Sequence, residues 1–376
     1  MRRAYQFSER AVVRSAVTAL CAAALLIVGG CATAPKPVET KLVWPPPPGV
    51  ARIQFVRSIA SDEDLEHDTT TTQKILNFLG GDKPTSNQFA EPTGIALSDD
   101  GSRIYVSDIM QRAVYIFDFG AKSFFKIDSI NAPGGVALDA QENLYVVETL
   151  DKKIVVYGRD RTLIREITDP SVERPVGIAI DKQRGRIYLV DTGTNKTTDF
   201  TVKIFDLDGT LRGHIGNGQG VKPGQFIYPT YACVDAAGNV YVSDSFNGRV
   251  QKFDPDGKYL MTYGQRGDAW GEFDKPKGVA VDSFGNLYVV DAGWSNVQIF
   301  NPKGQILLFF GGRGGYPGLL RNPNPIAIDK HNRIYVGDFL NARVEVYDLV
   351  NTTAADSYIE PPPGRPGASA GAAAKK

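Results

Sequence analysis

The chain has 376 residues, with 42 Lys+Arg, 42 Asp+Glu and three Cys. So even a charge excludes phosphate-driven nucleic-acid binding, which needs a clustered basic excess. At 22% charged and 42% hydrophobic residues it is neither a disordered chain nor a polytopic membrane protein.

Arg2, Arg3, Arg10 and Arg14 precede an uncharged run from Ser15 to Gly30. The run is shorter than the roughly 20 residues that span a bilayer. A basic segment, a short apolar segment and small residues before a cleavage point read as a signal peptide over residues 1–30. The cleavage point, Val28-Gly-Gly-Cys31, resembles that of a bacterial lipoprotein. The resemblance implies lipidation of Cys31 and anchoring in the cell envelope, and Ala32 after the cysteine points to the outer membrane. Losing residues 1–30 leaves 38 basic and 41 acidic groups. Residues 31–50, with Pro35, Pro37 and Pro45 to Pro48, read as a stiff tether. Cys233, in the apolar run Tyr231 to Asp235, reads as a small buried hydrophobe.

One phrase then recurs six times: a short apolar strand, a turn, and a second strand centred on Tyr and ending in an acid. The tyrosines are Tyr105, Tyr145, Tyr188, Tyr241, Tyr288 and Tyr335, and the acids Asp108, Glu148, Asp191, Asp244, Asp291 and Asp338. A third strand follows each time, and a fourth in five of the six. Four short strands at a period of 41 to 54 residues predict an all-β fold, a six-bladed β-propeller over residues 51–350. Length alone suggests two domains; the repeat argues for one. The sixth repeat lacks its fourth strand. Residues 51–60, containing Arg52 to Ile59, are expected to supply it and close the ring. Loop closure costs roughly 5 kcal/mol and about five hydrogen bonds return a similar amount. Burial of Ile53 and Phe55, at about 1.5–3 kcal/mol each, decides in favour. Residues 61–89 read as a linker with a short amphipathic helix at 72–80, and residues 351–376 as a disordered tail.

The phrases Lys275-Pro-Lys-Gly-Val-Ala-Val-Asp282, Gly285-Asn-Leu-Tyr-Val-Val-Asp291 and Asp244-Ser-Phe-Asn-Gly-Arg-Val250 resemble NHL repeats. With the prolines and the closing strand, the chain resembles bacterial six-bladed NHL lipoproteins. Eukaryotic NHL proteins often carry a zinc RING and act in ubiquitination or RNA binding. No Cys/His cluster for a RING stands here, so neither activity is implied.

The ring of six acids could hold a cation or act as bases. The competing reading is structural: each carboxylate pins the turn to the third strand, as the spacings of Asp244 to Arg249, Asp338 to Arg343 and Glu148 to Lys153 suggest. Peptidylglycine lyase propellers, which resemble NHL proteins, bind zinc through several histidines near the axis. His67, His214 and His331 should not converge. Lactonase-type propellers hold calcium with carboxylates at the mouth of the inner strands. Here those positions are Thr93, Gly134, Val176, Thr230, Lys277 and Asn324, without a carboxylate. No cofactor, metal or catalytic residue is therefore expected.

Turns between second and third strands share one face with the loops between blades. That face should gather Phe246, Trp294, Phe339, Tyr231 and Trp270, together with Tyr228 and Tyr316, with Lys277 and Asn324 nearer the axis. Aromatics beside a few polar groups suit recognition of a protein or a glycan. Phe226 and Phe273, in Gly-x-Phe phrases, are expected to pack between blades instead. The expectation is a non-catalytic, lipid-anchored scaffold for another envelope protein. The alternatives are a metal-dependent propeller enzyme of lyase or lactonase type, or a glycan-binding module.

Overall fold

The computed structural model describes residues 41–65, 87–194, 197 and 200–357. The chain divides into Met1–Lys41 and Leu42–Lys376, and every element below belongs to the second unit. The signal peptide, Cys31, the predicted helix at 72–80, His67 and the last 19 residues lie outside the described residues.

Six antiparallel sheets form a closed ring. Five blades are four-stranded meanders and the last is a five-stranded sheet; in each, the first strand lies innermost, beside the first strands of its two neighbours. The inner strands are Pro92–Leu97, Pro133–Leu138, Pro175–Asp181, Pro229–Val234, Pro276–Val281 and Pro323–Ile328. The six repeat tyrosines are all at most 4% exposed and fill the spaces between blades. Their partners are the β-branched residues of the second and third strands, which suit a sheet buried on both faces. Phe226 and Phe273 are fully buried there too, as expected.

The last blade takes its fourth strand from upstream. The strand β1 (Val43–Trp44) pairs with β2 (Ile53–Ile59), and β2 pairs antiparallel with Arg343–Leu349. The closing strand is thus where the repeat count put it. Two details differ from expectation. First, the pairing slips by one residue between Phe55 and Arg57. Such a bulge moves later side chains to the opposite face. Ile53 therefore packs toward blade 5 and Ile59 toward blade 1, both at most 1% exposed, whereas Phe55 is only half-buried. Second, part of the predicted tether is folded. Trp44 packs edge-on against Tyr347 at 5.8 Å and lies 6.0 Å from Phe310. Likewise the start of the predicted tail is folded: Ala354–Ser357 form a 3-10 turn, and Asp356 pairs with Arg52 at 2.9 Å. Among the described residues, no helix is long and apolar enough to cross a membrane.

Candidate functional site

Every inner strand begins with proline, and its pairing with the second strand is interrupted directly afterwards. The bulge turns the next one or two side chains out of the ladder toward the axis. The residue two places after proline is glycine in four blades, because six strands converge there. A β-carbon on Gly94 would lie 2.8 Å from the Gly134 carbonyl oxygen of the next blade. Blade 4 breaks the pattern with Tyr231. Its hydroxyl crosses the ring and donates to the Thr93 carbonyl at 2.9 Å. Tyr231 is thus placed in the channel and not on the outer rim. Around the same axis, the Thr93 hydroxyl donates to the Pro133 carbonyl and the Ser245 hydroxyl to the Pro276 carbonyl, each tying one blade to the next.

The six acids sit at the ends of the second strands, all at most 6% exposed. Their partners enlarge the structural reading. Asp244 does bind Arg249 at 3.0 Å, and Lys153 approaches Glu148 at 3.5 Å. The five aspartates also accept backbone N–H groups from the segment leading into their own blade's inner strand. Examples are Ala90 and Glu91 on Asp108, Glu173 and Arg174 on Asp191, and Asp274 and Lys275 on Asp291. Those N–H groups precede a proline and have no ladder partner, so a buried carboxylate satisfies them. Each aspartate thereby fixes both the inter-blade loop and the turn after the second strand. Burial pushes Asp244 up to about 6 and raises Asp291 and Asp338, although the hydrogen bonds oppose it. Among the described residues, no three His, Cys, Asp or Glu side chains are grouped to hold a metal ion. His214 and His331 stand on an outer strand and in a turn at Asp329.

Two sets of loops build one face, and the acids hold them together. Phe246 is 54% exposed and its ring stacks on Tyr228 at 4.6 Å. Trp294 is 44% exposed, and Trp270 projects near the outer edge against Phe309. Phe339 is half-buried; its neighbour Leu340 is the exposed residue. Lys277 and Asn324 follow the prolines of blades 5 and 6, near the axis. Lys277 lies 5.7 Å from the Tyr228 ring, its ammonium lowered to about 8 by burial and then by Lys275. Cys233 is half-buried on the inner strand of blade 4, its thiol pushed up by burial.

A register that a count of aromatics does not show runs through these turns. Met110, Leu150, Phe246 and Leu340 each stand two residues after a repeat acid, and Trp294 three; all five are exposed. Five of the six turns after the second strand therefore present an apolar side chain on the same face.

Residues 59–176 match the SMP-30/Gluconolactonase/LRE-like region. The match starts at the closing strand and runs through the first two blades. The chain is also similar to the protein SUPPRESSOR OF QUENCHING 1, chloroplastic, of Arabidopsis thaliana, at 25% identity over 179 residues. That alignment covers 47% of this chain and 15% of the plant protein. Among solved structures, an auxiliary nutrient binding protein from Bacteroides thetaiotaomicron superimposes with a TM-score of 0.56 at 13% identity, over 69% of both chains. A catalytically inactive virginiamycin B lyase from Staphylococcus aureus, crystallised with quinupristin, gives 0.51 at 16% identity, over 71% of this chain and 87% of the lyase. At these identities the likeness concerns the fold. The six mouth positions carry no carboxylate, so they do not fit a calcium ion held as in lactonase-type propellers.

Proposed function

We propose that the propeller is a binding module that docks a protein partner on the face built from its inter-blade loops and the turns after the second strands, and that Cys31 holds it at the cell envelope by a lipid. The observation that carries the reading is the ring of exposed apolar residues, Met110, Leu150, Phe246, Trp294 and Leu340, at corresponding places in five blades. Large apolar side chains exposed together on one face mark interaction surfaces. The acid clamps keep the loops rigid, which lowers the ordering cost of association. Replacing Met110, Leu150, Phe246 and Leu340 together with serine should abolish crosslinking to the partner in intact cells while leaving the melting temperature within a few degrees.

A second reading is glycan binding at the edge of the same face. Trp270, Trp294, Phe309, Asn296 and Gln298 border a shallow groove of about 200 Å³. Aromatic planes beside amides suit a sugar, and the similarity to a nutrient binding protein agrees in kind. Polysaccharide binding lost in Trp270→Ala, with protein crosslinking unchanged, would favour it.

A further inference from the structure

We propose that the mouth of the ring between blades 3, 4 and 5 is a receptor for a carboxylate group, formed by Lys277 and Arg174 about the ring of Tyr228, with Lys275 beside Lys277.

Twelve residues stand immediately before or after the six inner-strand prolines. Three of them are cations: Arg174 in blade 3, and Lys275 and Lys277 in blade 5. The only acid of the twelve, Glu91, belongs to blade 1, which faces blade 4 across the ring. Tyr228 lies between the cations, with the Arg174 guanidinium 6.0 Å and the Lys277 ammonium 5.7 Å from its ring. Its backbone is held left-handed, at φ 68°, before Pro229, and its ring is fixed by stacking on Phe246. None of the three cations meets a carboxylate oxygen within 4.0 Å among the described residues. Elsewhere at these loops Arg249 pairs with Asp244, Arg343 with Glu345, and Lys153 with Glu148. Of the nearby acids, Asp291 takes four backbone N–H groups, Asp244 takes Ile227, Asn247 and Arg249, Glu173 accepts from the Thr197 hydroxyl, and Asp274 lies 3.9 Å from Arg266.

Lys277 is half-buried, with the exposed Arg174 and Lys275 near it and no carboxylate partner among the described residues, and such a group favours an incoming anion. A guanidinium fork and two ammonium groups beside an aromatic plane match a planar carboxylate. A phosphate more often takes a nest of backbone N–H groups or a helix N-terminus, and none is placed here among the described residues. An anion beside Lys277 would favour its charged form, so affinity should fall as the free lysine deprotonates near pH 8. The groups facing it are Lys275 on its own strand, Arg174 and Tyr228 from the neighbouring loops, and the occupied Asp291 and Asp244.

The test is isothermal titration of the purified full chain with hexaglutamate, glutarate and inorganic phosphate. Hexaglutamate or glutarate should bind, about tenfold more weakly at pH 9 than at pH 7, and binding should be lost in Lys277→Met and weakened in Arg174→Gln. Hexaglutamate binding alone would place the carboxylate on a peptide, and glutarate binding on a small acid as well. Binding of phosphate alone, no binding, or unchanged binding in Lys277→Met would overturn the proposal. Serine at Met110, Leu150 and Leu340 alone leaves the cations and the Tyr228–Phe246 stack in place, so failure of the docking surface and failure of this site are separable.

Discussion

The Tyr231 hydroxyl donates to the Thr93 carbonyl oxygen at 2.9 Å, from the fourth blade to the first, across the width of the ring. Lys182 of blade 3 likewise reaches past blade 2 to pair with Asp99 of blade 1, but at the exposed turns and not in the channel. The Tyr231 bond closes the channel where four blades have glycine. Tyr231→Phe should lower stability by about 1–2 kcal/mol, the cost of leaving a buried carbonyl without its donor. Urea unfolding measures it; an unchanged midpoint would show that water replaces the hydroxyl.

Ile53 and Ile59 share a strand but serve different interfaces, one toward blade 5 and one toward blade 1. Ile53→Ala and Ile59→Ala should each cost about 2–5 kcal/mol. Because their neighbours are separate, the double variant should equal the two single losses combined to within about 0.5 kcal/mol. Larger coupling would mean that the seam behaves as a single cluster.

Much of this fold was legible, and the residues show why. The period, the tyrosines, the acids and the missing strand are covalent facts about repeat order, and six repeats in register average out local noise. The bulge at Val56 was not legible, since a slip by one residue leaves composition untouched while moving Ile59 to the other face. Trp44 hid in a proline-rich stretch, where composition says extended and cannot say paired. At the face, Phe339 and Leu340 exchanged roles because they sit in a short 3-10 turn, where strand alternation does not apply. The acids were read as holding the third strand. Their backbone donors lie 16 to 18 residues earlier in the chain, a distance that no side-chain pattern marks.

Burial holds the Glu345 carboxyl up at about 7, against the opposing pull of Ser58, Arg343 and the Gly318 N–H. An acid with a higher pKa when folded stabilises the fold fully below its unfolded value, 4.5, and loses that contribution as pH rises through about 7. The stability of the wild type relative to Glu345→Gln should therefore fall by on the order of 2–3 kcal/mol between about pH 4.5 and 7.5, then level off. Ser58 belongs to the closing strand and donates to Glu345 at 2.6 Å, so the change reports on the seam. A flat difference across that range would place the carboxylate in a charged, fully compensated state.

Asp291 accepts backbone N–H groups from Asp274, Lys275, Gly293 and Trp294. Asp291→Ala should cost about 2–4 kcal/mol, as buried donors lose a charged acceptor. It should also speed hydrogen exchange at Lys275 and Trp294 well before global unfolding. Protection unchanged at both amides would show that the clamp does not order the face.

The claim that the face of Phe246 and Leu340 docks a protein is tested most directly by photocrosslinking in intact cells. A photoreactive phenylalanine would replace Phe246, Leu340 or, on the opposite face, His331. Discrete crosslinked species from the first two positions and none from His331 is the expected result. Crosslinks from His331 alone, or equally from all three, would contradict the account.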